Sequence, residues 1–279
     1  MFLVTGATGN VGREVAGQLA SGGYPVKGLI RGPESADRLP AGVDPMIGDL
    51  GRPETFVDQL DGVTAIHLLA GYDNLDALLA AARDAGVRRI VLQSSSSVPS
   101  GDLGNAVARY HILSERIIRE SSLDWTFLQP NTFMTNTLEW RDQLAAGDTV
   151  RAAFGDVAVS TIDPADIAAV SVQALTTDAH VGATYRMSGP QALRPGDRVE
   201  ILAGILDRPL RFEALSDEQA RAEMSASMPA EYVDAFFQFF VDGTVDETTV
   251  QPTVQQLLGR PPRTFEHWAR AYADVFAHR

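Results

Sequence analysis

The sequence predicts an α/β fold, a Rossmann-type doubly wound parallel sheet followed by a smaller, mainly helical C-terminal region. Three observations carry that expectation. A glycine-rich turn, Thr5-Gly6-Ala7-Thr8-Gly9-Asn10-Val11-Gly12, sits between an opening apolar run and a helical period. Short apolar runs then alternate with helical periods as far as about Pro130. Beyond that point the alternation loosens.

The elements follow in order. Residues 2–5 form a strand entering the turn, and Val11, Val15 and Leu19 recur at helical spacing until Ser21-Gly22-Gly23 stops the helix. Residues 25–30 read as a second strand, completing a βαβ unit with a right-handed crossover. Strands are expected next near 45–48, Ala65–Leu69, Arg89–Gln93 and 125–129, with helices near 53–60, 75–85 and Ala106–Glu120. Such alternation builds a parallel sheet covered on both faces. Past Pro130 the strand candidates are 150–154, Ala183–Met187 and 210–213. The helix candidates there are Pro164–Thr176, 198–206, 217–226, Ala230–Phe240, Thr253–Leu258 and 265–276. The expected organisation is a Rossmann domain over 1–153, with sheet contributions from about 158–190, and a helical substrate-binding region over 191–279.

Composition narrows the function. The 279 residues, 45% of them hydrophobic, suffice for a full core. A net charge of −13 argues against nucleic acid or an anionic membrane as partner, since both demand a basic surface. The absence of cysteine removes disulfides, thiolate nucleophiles and cysteine-zinc sites. The first strand begins almost at Met1 with no leader, and no apolar run is long enough to span a bilayer, so the expected location is the cytoplasm. Arginine accounts for all but one of the 23 basic residues; the single lysine is Lys27.

The glycine turn points to a dinucleotide. Gly6 permits a tight turn, Gly9 lets the backbone approach a pyrophosphate, and Gly12 lets helix and strand pack closely. Thr8, Asn10 and Val11 share the loop and the first helical turn, whose amides face the anion. The second strand ends in Arg31 where an NAD-selective site would carry an acidic residue, so NADP is favoured and NAD remains possible. Asp49, beside Leu50, is placed to accept from the adenine amino group or to cap its own turn. Leu69, Ala70 and Gly71 end the fourth strand, Ser94 the fifth, and Pro130 and Asn131 the sixth, all at the carboxyl edge where such sheets bind ligands.

These features, with the run Arg89-Ile90-Val91-Leu92-Gln93-Ser94-Ser95 and the segments 123–134, 162–167 and 258–265, resemble the NmrA-like, atypical branch of the short-chain dehydrogenase/reductase superfamily. The resemblance covers nearly the whole chain. It implies a quinone or carbonyl reductase, a biosynthetic tailoring enzyme, or a non-catalytic regulator that senses NAD(P). Ordinary superfamily members use a Tyr-x-x-x-Lys pair on the helix after the fifth strand. Here His111 and Glu115 fill those slots, and Lys27 lies in the second strand, so that pair is absent.

The remaining candidates follow from this. His111 and Glu115, four residues apart on one helix face, could serve as proton donor and ribose holder, or form a plain surface pair. Ser95 and Ser96 could bind a substrate oxygen or belong to a local turn. Tyr110 is an alternative acid, about 100° around the helix from His111. Phe133, Met134, Trp140 and Phe236 are expected to line the substrate crevice, and the cluster Phe236, Phe237, Phe239 and Phe240 is either core or pocket wall. Asp166 reads as a helix cap and His67 as structural, while His180, His267 and His278 lack metal-ligand spacing, so no metal is expected. The leading expectation is an NADPH-dependent reductase of a quinone or a conjugated, aromatic carbonyl compound. The alternatives are the NAD(P)-sensing regulator and a polyketide-type tailoring enzyme.

Overall fold

The N-terminal apolar run forms β1 (Phe2–Val4), and the glycine turn delivers the chain into α1 (Asn10–Ser21), whose Val11, Val15 and Leu19 are buried. There follow β2 (Val26–Ile30), β3 (Asp44–Ile47), β4 (Ala65–Leu69), α2 (Leu75–Asp84), β5 (Arg89–Gln93), α3 (Ala106–Glu120) and β6 (Asp124–Pro130). Next come α4 (Arg141–Ala146), β7 (Thr149–Ala152), α5 (Pro164–Thr176), β8 (Ala183–Met187), α6 (Pro195–Leu206) and β9 (Arg211–Ala214). The chain closes with α7 (Asp217–Ser225), α8 (Ala230–Phe240), α9 (Thr253–Leu258), α10 (Phe265–Ala271) and α11 (Ala273–Ala277). The computed structural model describes residues 1–277; His278 lies outside them.

Seven strands form one sheet in the order β3-β2-β1-β4-β5-β6-β8, and every pair from β3 to β6 is parallel. Leu3 of β1 stands opposite Lys27 on one side and Ile66 on the other. The strand order reverses between β1 and β4, which makes their carboxyl ends the switch point where open α/β sheets take ligands. The expected doubly wound Rossmann architecture is therefore present. A separate two-stranded parallel sheet joins β7 to β9.

By its contacts the chain divides into two units. The first comprises Met1–Gly101, Ala108–Pro130 and Pro164–Arg186, and the second Asp102–Val107, Asn131–Asp163 and Met187–Arg279. In the first, Leu3, Ile66, Leu68, Ile90, Leu92 and Phe127 of the strands pack with Leu75, Leu78 and Leu79 of α2 and Ile118 of α3. The other helical layer pairs α1 with α5, where the Gln18 amide donates to the Ala165 carbonyl at 3.1 Å. His67 of β4 is fully buried with Nδ1 2.9 Å from Ser171 Oγ, and burial lowers its pKa to about 4, so it is a structural, neutral imidazole. The second unit is built around Trp140, Leu144, Val150, Leu202, Phe265 and Trp268.

Two expected helices take another form. Residues 53–60 make two short 3-10 turns, Pro53–Thr55 and Val57–Gln59, because Phe56 between them adopts an extended φ of −146° and buries its ring completely. The expected helix 265–276 breaks at Tyr272, where φ is −107° and the amide is shared between the carbonyls of Trp268 and Ala269. Among the described residues no helix is long and apolar enough to cross a membrane, and no cluster of His, Cys, Asp and Glu is arranged to hold a metal.

Candidate functional site

The glycine turn after β1 has the geometry its sequence demands. Gly6 sits at φ +62°, where a side chain is strained, and an added Cβ would meet Leu69 Cδ1 at 2.7 Å. The Gly9 amide donates to the Gly6 carbonyl at 2.8 Å, and Gly9 opens α1 with no side chain capping it and no acidic residue in the first turn. At Gly12 a Cβ would stand 2.6 Å from the Gly6 carbonyl carbon and 2.8 Å from the Thr5 carbonyl oxygen, so α1 lies against β1 at a distance only glycine allows. A cradle that any Cβ would fill, with helix amides left to an incoming acceptor, fits a dinucleotide pyrophosphate.

Two residues that the sequence reading missed brace this cradle. Arg38 donates to the Thr8 carbonyl at 3.4 Å, and Arg13 donates to the Arg38 carbonyl. The only signal was that Arg13 directly follows Gly12. Thr5 fastens β1 to β4 at the switch point: its hydroxyl donates to the His67 carbonyl at 3.1 Å and accepts from the Leu69 amide at 3.0 Å. Gly71, beyond β4, adopts φ +92° and donates to Ser114 Oγ at 3.2 Å, and the Tyr110 ring would lie 3.1 Å from any Cβ there. Arg31 is exposed at the end of β2.

Two adenine-side candidates make contacts within their own unit. The Asp49 carboxylate accepts from the Gly51 amide at 3.0 Å and pairs with Arg52 at 3.4 Å, an Asx turn. The Gly51 amide, then Arg52 and Arg31, strengthen its acidity against a smaller opposing effect of burial. Leu50 is 7% exposed and belongs to the core of the first unit.

The expected His111–Glu115 pair does not form. Glu115, 2% exposed, accepts from Ser94 Oγ at 2.6 Å and Gln129 Nε2 at 2.8 Å and pairs with Arg119 at 3.5 Å. It therefore ties the ends of β5 and β6 to α3. His111 instead lies against the Tyr110 ring, with centroids 4.2 Å apart. Its Nδ1 is closed off without a hydrogen-bond partner, and burial lowers its pKa to about 3, so it holds no acidic proton near neutrality. Ser95 Oγ accepts from the Ser97 amide at 3.1 Å and contacts the Ser97 hydroxyl at 2.9 Å, the local-turn alternative. Ser96 is buried, and its amide donates to the Pro130 carbonyl at 3.0 Å.

The second unit carries its own open cavity of about 440 Å³. Trp140 and Phe236 line it, while Met134 is buried in the core and neither it nor Phe133 is part of the wall. The phenylalanine cluster divides by helical phase: Phe237 and Phe239 are buried, whereas Phe236 and Phe240, four apart, present parallel rings to the cavity with centroids 6.4 Å apart. Phe154, held at φ +56°, packs 5.0 Å from Phe240 and completes the aromatic wall. Glu139, Arg151, Arg198 and Glu223 supply the charged part of the lining, which the sequence reading also missed. Asn131 turns to its own unit, donating to Ser160 Oγ at 2.9 Å and the Glu247 carbonyl at 3.1 Å.

Comparison with known proteins bears on this geometry. A family model described as NAD(P)H-binding matches residues 6–178. The chain is 41% identical to a (4-alkanoyl-5-oxo-2,5-dihydrofuran-3-yl)methyl phosphate reductase of Streptomyces griseus, over 99% of both chains. It is 34% identical to an NAD(P)H azoreductase of Xenophilus azovorans, again over 99% of both. In fold it matches the NADPH-dependent quinone oxidoreductase QOR2 of Escherichia coli with a TM-score of 0.80 at 22% identity, covering 99% of this chain and 100% of that one. With the glycine cradle, the switch point and these relatives together, the chain belongs to the NAD(P)H-binding, NmrA-like family of atypical short-chain dehydrogenases/reductases.

Proposed function

We propose that the chain is an NAD(P)H-dependent reductase of a quinone or a conjugated, aromatic carbonyl compound. The observation that carries this reading is the fate of the two slots where the superfamily keeps its Tyr/Lys pair: Glu115 is bound to Ser94 and Gln129, and His111 is held neutral. Reduction of an isolated ketone needs a strong internal acid as negative charge grows on one oxygen. A conjugated acceptor spreads that charge, and water suffices to protonate it.

Bound NAD(P)H supplies the hydride. The residues of the chain bind and orient. Gly6, Gly9 and Gly12 leave room for the pyrophosphate, and the first amides of α1 would hold it. Arg31 would pair with the 2′-phosphate, favouring NADPH over NADH. Gly71, with a positive φ that glycine adopts freely and the Tyr110 ring behind it, would let the backbone pass close to the dinucleotide. The aromatic wall of Trp140, Phe154, Phe236 and Phe240 suits a flat acceptor. The names of the two relatives support the reading, since both are reductases, one of a dihydrofuranone phosphate and one of azo compounds.

The test is nicotinamide oxidation against matched acceptors. Naphthoquinones and conjugated aromatic carbonyls are expected to be reduced and saturated ketones not. Tight NADPH binding with no turnover on the conjugated set would overturn the reading. Arg31→Asp should weaken NADPH binding far more than NADH binding, and equal effects would remove the cofactor preference.

A further inference from the structure

The cavity of the second unit contains a cation that its neighbours leave under-bonded. Arg198 of α6 lines the wall beside Trp140, with its guanidinium 4.9 Å from the centre of the indole ring. Nη1 donates to Thr137 Oγ1 at 3.2 Å, which fixes the plane of the group. Nε is closed off with no acceptor, and among the described residues Nη2 has no hydrogen-bond partner. The other cation of the wall, Arg151, is already matched by Glu223 at 3.3 Å.

Glu139 is the remaining carboxylate of the lining, and it and Asp197 act on Arg198 through their charge, with no salt bridge to Arg198 among the described residues. The surrounding protein weakens the acidity of Glu139, against the pull of Arg198 and the Trp140 indole. Burial lowers Arg198 to about 10 against the pull of Glu139 and Asp197, so the guanidinium stays charged at neutral pH. Those carboxylates offset the burial of this permanent charge without taking its spare donors, which an anion in direct contact would take.

We propose that Arg198 is the residue that recognises the acceptor, and that the acceptor is an anion: a conjugated, apolar body bearing a phosphate or carboxylate. The guanidinium takes the anionic group, Thr137 holds the guanidinium in plane, and Trp140, Phe236 and Phe240 enclose the body. Arg198 is thus a specificity determinant, and the assignment rests on the cavity being the acceptor site of the reductase proposed above.

The experiment uses equilibrium binding of two probes that cannot be reduced, 2-naphthyl phosphate and 2-naphthol, so its outcome does not depend on hydride transfer. The wild-type chain should bind the phosphate more tightly. Arg198→Gln should weaken naphthyl phosphate by about tenfold or more, the loss expected of a charge-assisted contact, and leave naphthol within about twofold. Arg198→Lys keeps the charge without the planar fork and should give a smaller, still phosphate-selective loss. It serves in its place if the glutamine variant does not fold. Equal binding of both probes by the wild type, or equal losses for both in the variant, overturns the proposal. Selective phosphate binding without turnover of any conjugated acceptor would sink the reductase reading and leave the anion site standing.

Discussion

Replacing Gly12 by alanine places a methyl group where the backbone of the glycine turn already is. The new Cβ would lie 2.6 Å from the Gly6 carbonyl carbon and 2.8 Å from the Thr5 carbonyl oxygen, and neither is a flexible side-chain end. Relief requires α1 to retreat from β1 by roughly 0.5–1 Å, an overpacking that costs about 1–3 kcal/mol. Alanine returns about 1 kcal/mol in helix propensity, so the net destabilisation should be up to about 2 kcal/mol. The same retreat carries the first amides of α1 away from the pyrophosphate, and NADPH affinity should fall by about tenfold, or about 1.4 kcal/mol. Gly17 on the same helix is the control, because a Cβ there meets Pro40 at an ordinary 3.5 Å. Gly17→Ala should therefore stabilise by up to about 1 kcal/mol. Urea denaturation and calorimetric titration with NADPH report the two effects. If Gly12→Ala behaves like Gly17→Ala in both, the account of the cradle is wrong.

Glu115→Ala strips buried Ser94 and Gln129 of their shared acceptor and should cost about 2–4 kcal/mol in urea denaturation. Glu115→Gln, which keeps an oxygen in place, should cost less and leave NADPH affinity unchanged; selective loss of that affinity would restore Glu115 as a ribose holder. Acid should destabilise the fold through His67 and His111, whose folded values of about 4 and about 3 lie below the usual 6.5. Their contribution is complete above pH 6.5 and is lost as pH falls from 6.5 toward those folded values, because the unfolded chain takes up protons that the folded one refuses. The slope is up to about 1.4 kcal/mol per pH unit for each histidine. His67→Asn should flatten the profile measured by denaturation between neutral and mildly acid pH, and an unchanged slope would show that His67 is not held neutral.

What was legible in the sequence was local. The turn from Thr5 to Gly12 states its own backbone requirements, and α3 and α5 are bounded where their periodicity begins and ends. What was not legible depends on residues far apart in the chain. Four-residue spacing puts His111 and Glu115 on one side of α3, yet the partners that claim Glu115 come from β5 and β6. Nothing near residue 53 shows that Phe56 will be drawn fully into the core and break an expected helix. Strand pairing has the same character, since β7 and β9 are separated by two helices and β8, and still pair with each other. The charged cavity lining is assembled from α6, α7 and the segments around α4, so Arg198 and Glu139 carry no sequence signal of facing one space.

The central claim is that the bound dinucleotide gives its hydride to a conjugated acceptor without a Tyr/Lys acid. The direct measurement is an anaerobic single turnover, in which enzyme preloaded with stoichiometric NADPH is mixed with a naphthoquinone and the nicotinamide absorbance is followed. The account predicts complete loss of that absorbance with formation of an equal amount of hydroquinone. Bound NADPH that persists unoxidised in the presence of the quinone would contradict it.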